Sequence, residues 1–150
     1  MIERNVSVGD MIPLIRETLD SGKTVSFAPR GVSMLPMLRQ GRDTVTLSRL
    51  EGRLRKYDLP FYRRDDGTYV LHRIVKSGDT YTCIGDNQFA LEPGIRHDQI
   101  IGVVSAFCRK GKTISVSHRG YKLYCRFWHW SRPVRHICSG VGRRLRALFR

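Results

Sequence analysis

Three short segments concentrate the residue types that could carry out nucleophilic attack and proton transfer. The first is Gly31-Val32-Ser33-Met34-Leu35-Pro36. A serine hydroxyl becomes a useful nucleophile only where it is exposed and a base can take its proton. A glycine just before it lets the backbone pass close to a substrate, and a proline just after it fixes a turn. Taken alone, the segment reads as readily as a plain turn. The second segment, Val70-Leu71-His72-Arg73-Ile74-Val75, sets one histidine in an otherwise apolar strand. Such a histidine is more often a hydrogen-bonded core residue than a catalyst. Here it follows Ser33 by 39 positions, enough chain to return beside it across a hairpin. An imidazole with an ordinary pKa of about 6.5 is a free base at neutral pH. The third segment, Gly85-Asp86-Asn87, ends the next strand and could bring a carboxylate near that imidazole. The three in this order are far more specific than any one of them.

Other candidates are weaker. Lys76 could serve as a base, but it lies four positions past His72 at a strand end. Cys125, His129, His136 and Cys138 form a C-x-x-x-H…H-x-C cluster with zinc-ligand residue types. The surrounding arginines and Pro133 count against it, so neither a metal nor a cofactor is expected. The four cysteines make no C-x-x-C pair and are expected as reduced thiols. Asn5-Val6-Ser7 matches a glycosylation acceptor, which means nothing without secretion.

The elements that must hold these segments are legible from periodicity. Residues 7–21 read as an amphipathic helix, with Ser7 as cap, Asp10 in the capping-box position and Gly22 as the stop. Val8, Met11, Ile12, Ile15 and Leu19 fall on one face. Strand-like pieces follow at residues 24–28 and 44–47, on either side of the serine segment. A hairpin is expected from residues 57–63, the turn Asp65-Asp66-Gly67, and residues 68–76. Further strands are expected at 80–84, 100–108 and 112–117, with residues 85–98 as a loop. The predicted fold is therefore mainly β with an N-terminal helix. The expected organisation is helix 1–22, a β body 23–118, and a basic aromatic tail 119–150.

Charge separates that tail from the body. The chain of 150 residues carries a net charge of +14. Residues 99–150 hold twelve Lys/Arg and no acid, whereas residues 1–98 hold fifteen Lys/Arg against thirteen Asp/Glu. A cationic tail on a near-neutral body should seek phosphate, as anionic lipid or as nucleic acid. Within the tail, Tyr121, Leu123, Tyr124, Phe127, Trp128 and Trp130 mix with Lys122, Arg126 and Arg132. Pro133 is expected to break the segment. A second piece ends in Leu145, Leu148 and Phe149 among Arg143, Arg144, Arg146 and Arg150. Rings beside arginines suit an interfacial helix, so an anionic membrane surface is the favoured partner and nucleic acid the lesser one. The plainer alternative is a helix docked on the body with solvated arginines. No stretch approaches the roughly 20 apolar residues of a membrane span, and the N-terminus lacks the basic and apolar regions of a signal peptide. A cytoplasmic location, peripheral at the cytoplasmic membrane face, is expected.

G-x-S-M-x-P, then an apolar-His-Arg-apolar strand, then Gly-Asp-Asn resembles the signal peptidase/LexA-like serine peptidase superfamily. Asp98-Gln99-Ile100-Ile101-Gly102-Val103-Val104 is similar to that family's closing strand, and the likeness covers roughly residues 23–117. The family's self-cleaving repressors and most of its bacterial signal peptidases carry lysine at the base position. His72 matches the Ser-His branch of signal-peptidase-like enzymes instead. The resemblance implies a signal peptidase/LexA-like β fold and a serine endopeptidase that cleaves a leader or precursor peptide. Ser33 would be the nucleophile and His72 the general base. Asp86, within Gly-Asp-Asn, is the first choice to orient the imidazole. Glu92 is the second, at a position where histidine-type members carry an acid, and Asp98 is the third. Gly31, Met34 and Pro36 would shape the substrate groove, with the 57–61 segment as a further wall. The Ser33 backbone N–H would serve the oxyanion hole.

This chain departs from the family pattern in two ways. Many signal peptidases carry a hydroxyl residue two before the nucleophile, where this chain has Gly31, so the second oxyanion donor is unassigned. An N-terminal membrane anchor is also missing, which favours a substrate met at the cytoplasmic face, with or without a partner membrane protein to present it. Two rival readings remain. One is a self-cleaving LexA-type regulator. The other is a non-catalytic module that binds nucleic acid or lipid through its basic tail.

Overall fold

The computed structural model describes residues 8–148, with side chains described through Gly140. The proposed cap at Ser7 and the Asn5-Val6-Ser7 acceptor lie outside the described residues. So do the side chains of Arg143, Arg144, Leu145, Arg146 and Leu148, and all of Phe149 and Arg150.

The chain runs through helix α1 (Val8–Asp20) and strands β1 (Val25–Phe27), β2 (Thr44–Ser48), β3 (Pro60–Arg63), β4 (Tyr69–Leu71), β5 (Arg73–Ser77), β6 (Tyr81–Ile84) and β7 (Glu92–Ile95). A 3-10 turn, His97–Gln99, leads into β8 (Ile100–Arg109) and β9 (Lys112–Ser115). Helices α2 (Arg119–Trp130) and α3 (Arg132–Leu148) follow. The strands form two antiparallel sheets. The larger has the order β1-β2-β8-β3-β4, with β9 also on β8, and the smaller is β5-β6-β7. The protein is thus mainly β, with one helix before the sheets and two after them.

Alternation along the strands, reset in β8 by register shifts against β2 and β3, puts a core on each side of the larger sheet. Phe61, Ile101, Val104 and Phe107 face Ile12, Ile15 and Leu19 of α1 and Tyr121 and Cys125 of α2. Tyr62 and Ile100 point the other way, towards Ile74, Tyr81, Cys83 and Ile95 of the smaller sheet. Burying each large apolar side chain on this scale contributes about 1.5–3 kcal/mol before entropy is charged against it. The expected face of α1 is buried at Ile12, Ile15 and Leu19, whereas Val8 and Met11 near its start stay partly exposed.

Two elements differ from expectation. The strand expected over residues 68–76 divides at His72: β4 pairs with β3 in the larger sheet, and β5 pairs with β6 in the smaller one. Reciprocal backbone bonds from Tyr57 N to Ile74 O (2.8 Å) and from Ile74 N to Asp58 O (2.9 Å) hold the new direction. The expected 85–98 loop contains β7, which pairs with β6 despite Pro93 and Gly94. An edge strand tolerates proline, since its outward N–H has no partner to lose. The expected break near Pro133 is present: α2 ends at Trp130 and α3 starts at Arg132, with Pro133 in the first turn of α3, where a missing N–H costs nothing. The tail is continuous with the body's packing, since Tyr121 and Cys125 belong to its main core.

Candidate active site

Ser33 occupies a turn between β1 and β2 whose shape depends on its neighbours. Gly31 has φ +87°, a left-handed conformation that favours glycine. Its N–H donates to Gln40 Oε1 at 2.6 Å. The loop is held from the far side by Gly85-Asp86-Asn87. Asn87 N donates to Ser33 O at 2.8 Å, and Asn87 Nδ2 donates to Val32 O at 3.2 Å. A Cβ on Gly85 would stand 2.6 Å from Ser33 O, so only glycine allows this approach. Neither Ser33 Oγ nor Ser33 N–H makes a hydrogen bond among the described residues.

His72 sits where the chain passes from one sheet to the other, which carries its ring to the seam between them. It is only 3% exposed. Its Nδ1 lies 3.4 Å from Glu92 Oε2 and 3.5 Å from the Tyr62 hydroxyl. Both contacts are long for hydrogen bonds, so Glu92 acts on the ring mainly through charge. Glu92 is itself fixed: Arg64 donates to it at 2.6 and 2.8 Å, and Tyr62 OH donates at 2.8 Å. Burial pushes the Glu92 carboxyl up, but the Arg64 and Tyr62 hydrogen bonds outweigh it and hold the pKa below the usual value. An ionised carboxylate beside Nδ1 favours the tautomer with its proton there, leaving the lone pair on Nε2. Burial is the largest influence on His72 and lowers its pKa; Glu92 raises it and Arg64 lowers it. The net direction is down, which keeps the ring neutral at pH 7.

Ser33 and His72 line one cavity of about 230 Å³, together with Gly31, Met34, Gln40 and Arg64. Tyr69, Val70 and Leu71 of β4 form another wall. β4 is an end strand of its sheet, so one side of its backbone has no strand partner among the described residues. Ser33 and His72 do not hydrogen bond to each other, and His72 Nε2 has no partner among the described residues. Nucleophile–base contacts are commonly loose before substrate binds.

Several expected placements need correction. Asp86, first choice for the acid, does not face His72. Its two oxygens accept from Arg73 Nε and Nη2 at 2.8 Å each, and from Tyr124 OH at 3.0 Å. A buried guanidinium next in the chain to His72 demands a carboxylate, and Asp86 supplies it. Glu92 is the acid beside the imidazole. Asp98 is exposed, on the 3-10 turn, with Arg96 at 3.3 Å. Gly31 and Met34 line the cavity, but Pro36 does not; it is exposed in the turn that follows, after a cis Leu35–Pro36 bond. The 57–61 segment lies elsewhere, with Leu59 and Phe61 in the main core, and β4 takes its place as the wall.

The cysteine–histidine cluster does not assemble. Cys125 Sγ meets Arg73, the His129 ring meets Tyr57, the His136 ring meets Phe89, and Cys138 is exposed. No group of three potential metal ligands exists among the described residues. Sequence reasoning missed Tyr62, Arg64 and Gln40. An arginine just past the end of β3, at the start of a turn, gives no hint that it will reach 28 residues along the chain to Glu92. The charge of Arg73 in an apolar strand was a visible signal that a buried acid was needed.

No family model matches the chain, nor does any curated protein or any solved structure.

Proposed function

We propose that this protein is a serine endopeptidase of the signal-peptidase-like type, with Ser33 as nucleophile and His72 as general base. The observation that carries this reading is the shared cavity, lined both by Ser33, whose hydroxyl has no hydrogen bond among the described residues, and by the buried His72 backed by Glu92.

His72 Nε2 takes the Ser33 Oγ proton as the oxygen attacks a peptide carbonyl, giving a tetrahedral oxyanion. The imidazolium then returns that proton to the leaving amine, and an acyl ester remains on Ser33. His72 next removes a proton from water, which attacks the ester and releases the acid with Ser33 restored. Glu92 stabilises the imidazolium in both halves. The Ser33 N–H is one oxyanion donor. Gln40 is our assignment for the other: its Oε1 is held by Gly31 N, which turns the amide's two N–H donors away from that bond. An extended substrate would add beside β4, taking backbone hydrogen bonds from its free edge. The small cavity favours short side chains next to the cut. Leader peptides and membrane-associated precursors have that character.

The test compares protein N-termini in cells expressing the wild type, Ser33→Ala or His72→Ala, with thermal unfolding confirming that all three are folded. N-termini seen only with the wild type support the dyad and report the residues before each cut. Identical N-termini from three folded, abundant proteins would overturn it. So would full cleavage by His72→Ala.

A further inference from the structure

Helices α2 and α3 present two faces with opposite character. One face of α2 is locked to the body: Tyr121 OH and Cys125 Sγ accept from Arg73, Tyr124 OH donates to Asp86, and Trp128 Nε1 donates to the Asp86 carbonyl at 2.8 Å. The other face exposes Leu123, Phe127, Trp130, Val134 and Ile137, each between 59% and 75% exposed. Their spacing alternates four and three residues, so they form one stripe that crosses from α2 into α3. Docking and surface display are therefore not alternatives, because different faces of the same helix do each.

Leu123, Phe127 and Trp130 of the stripe line an open hollow of about 680 Å³, together with Tyr57, Arg126 and Arg132. Arg132 Nη1 is buried and has no hydrogen-bond partner among the described residues. That nitrogen is closed off, but Arg132 as a whole is only half-buried and lines the hollow. Residues 119–150 hold nine Lys/Arg and no Asp/Glu.

We propose that this face is a docking surface for an anionic membrane, with the stripe lying in the headgroup–acyl boundary and a lipid phosphate accepting from Arg132. Three features select lipid over other occupants. A second copy would set two acid-free cationic segments against each other. Nucleic acid would satisfy the arginines but leave Leu123, Val134 and Ile137 in water. An anionic lipid surface satisfies both, since apolar side chains enter to about 5–10 Å while guanidinium groups stay at the phosphates. The helix pair lies on the surface and does not cross it; among the described residues no helix is long and apolar enough to span. The proposal stands apart from the catalytic reading and survives its failure.

The test uses the full chain with vesicles of phosphatidylcholine alone or mixed with phosphatidylglycerol. The wild type should sediment with the anionic vesicles at low salt and be released at about 0.5 M salt, where screening reaches only a few ångströms. Phe127→Ser/Ile137→Ser should bind at least tenfold more weakly, and Arg132→Gln should lose most of its preference for the anionic mixture. Acyl chains brominated near the headgroup should quench Trp130 fluorescence, and a Trp130→Phe protein should bind while losing that quenching. Absence of binding by the wild type, or equal binding by the Ser variant, would overturn the proposal. Two other outcomes would overturn it by naming a different occupant. One is a concentration-dependent dimer, abolished by the same substitutions and indifferent to lipid. The other is salt-sensitive RNA binding that outcompetes the vesicles.

Discussion

Replacing Asp86 by asparagine separates a structural acid from a catalytic one. Arg73 is 2% exposed and cannot lose its proton in the folded protein. Without Asp86 its remaining partners are neutral: Tyr57 O at 3.2 Å, Tyr121 OH and Cys125 Sγ at 2.9 Å, and Met37 Sδ at 3.0 Å. Leaving a buried charge uncompensated costs about 3–5 kcal/mol. For a chain of this length each kcal/mol moves the unfolding midpoint by roughly 2–4 °C, so Tm should fall by roughly 6–20 °C. Glu92 is different. It is partly exposed, and glutamine keeps an acceptor for Arg64 and Tyr62, so Glu92→Gln should cost about 1 kcal/mol or less. Calorimetry at pH 7, with cleavage assayed well below each variant's Tm, reads the two effects separately. Asp86→Asn should lose stability first, and Glu92→Gln should lose kcat with little change in Tm. An Asp86→Asn protein with unchanged Tm and a hundredfold lower kcat would refute the assignment and return the orienting role to Asp86.

Four further outcomes follow from the same geometry. The acid limb of the pH–rate profile should lie below about 6.5, because burial lowers the His72 pKa and activity is lost only as pH falls through that lowered value. Glu92→Gln removes an influence that raises the His72 pKa, so it should move the limb further towards acid; a shift towards neutrality would contradict the arrangement. Gln40→Glu keeps an acceptor for Gly31 N but loses the amide donors, and kcat should fall roughly a hundredfold with Tm little changed. Unaltered kcat would remove Gln40 from the oxyanion hole. Gly85→Ala places a carbon where Ser33 O now stands 2.6 Å away, so the Ser33 turn must shift and cleavage should drop sharply; a fully active variant would show that the turn tolerates displacement.

Periodicity located α1 and most of the strands to within a few residues, because each reports a local choice between a period near 3.6 and one of 2. It could not see the division at His72. The segment on either side reads as one mostly apolar run, and only its partners reveal that β4 and β5 belong to different sheets. β7 was hidden for a related reason, since Glu92-Pro93-Gly94-Ile95 has loop composition and becomes a strand by pairing with β6. Ser33, His72 and the Gly-Asp-Asn turn stood out by residue type. Which acid meets which base did not, because adjacency in a motif says little about direction in space. Asp86 and Glu92 divide the work according to the arginine each finds: Arg73 for one, and Arg64 for the other, which leaves Glu92 beside the imidazole.

The guanidinium of Arg73 joins segments that are far apart in the chain: Met37, Asp86, and Tyr121 with Cys125 on α2. Peeling α2 from the body would strip this cation of two acceptors and uncover Asp86, so local detachment should be almost as costly as global unfolding. Amide protons in the middle of α2 should then exchange with solvent at nearly the slow rate of β8, rather than at the fast rate of a fraying terminus. A polypeptide shortened before Tyr121 would not be the β body minus an accessory. It would be a chain missing part of its own interior.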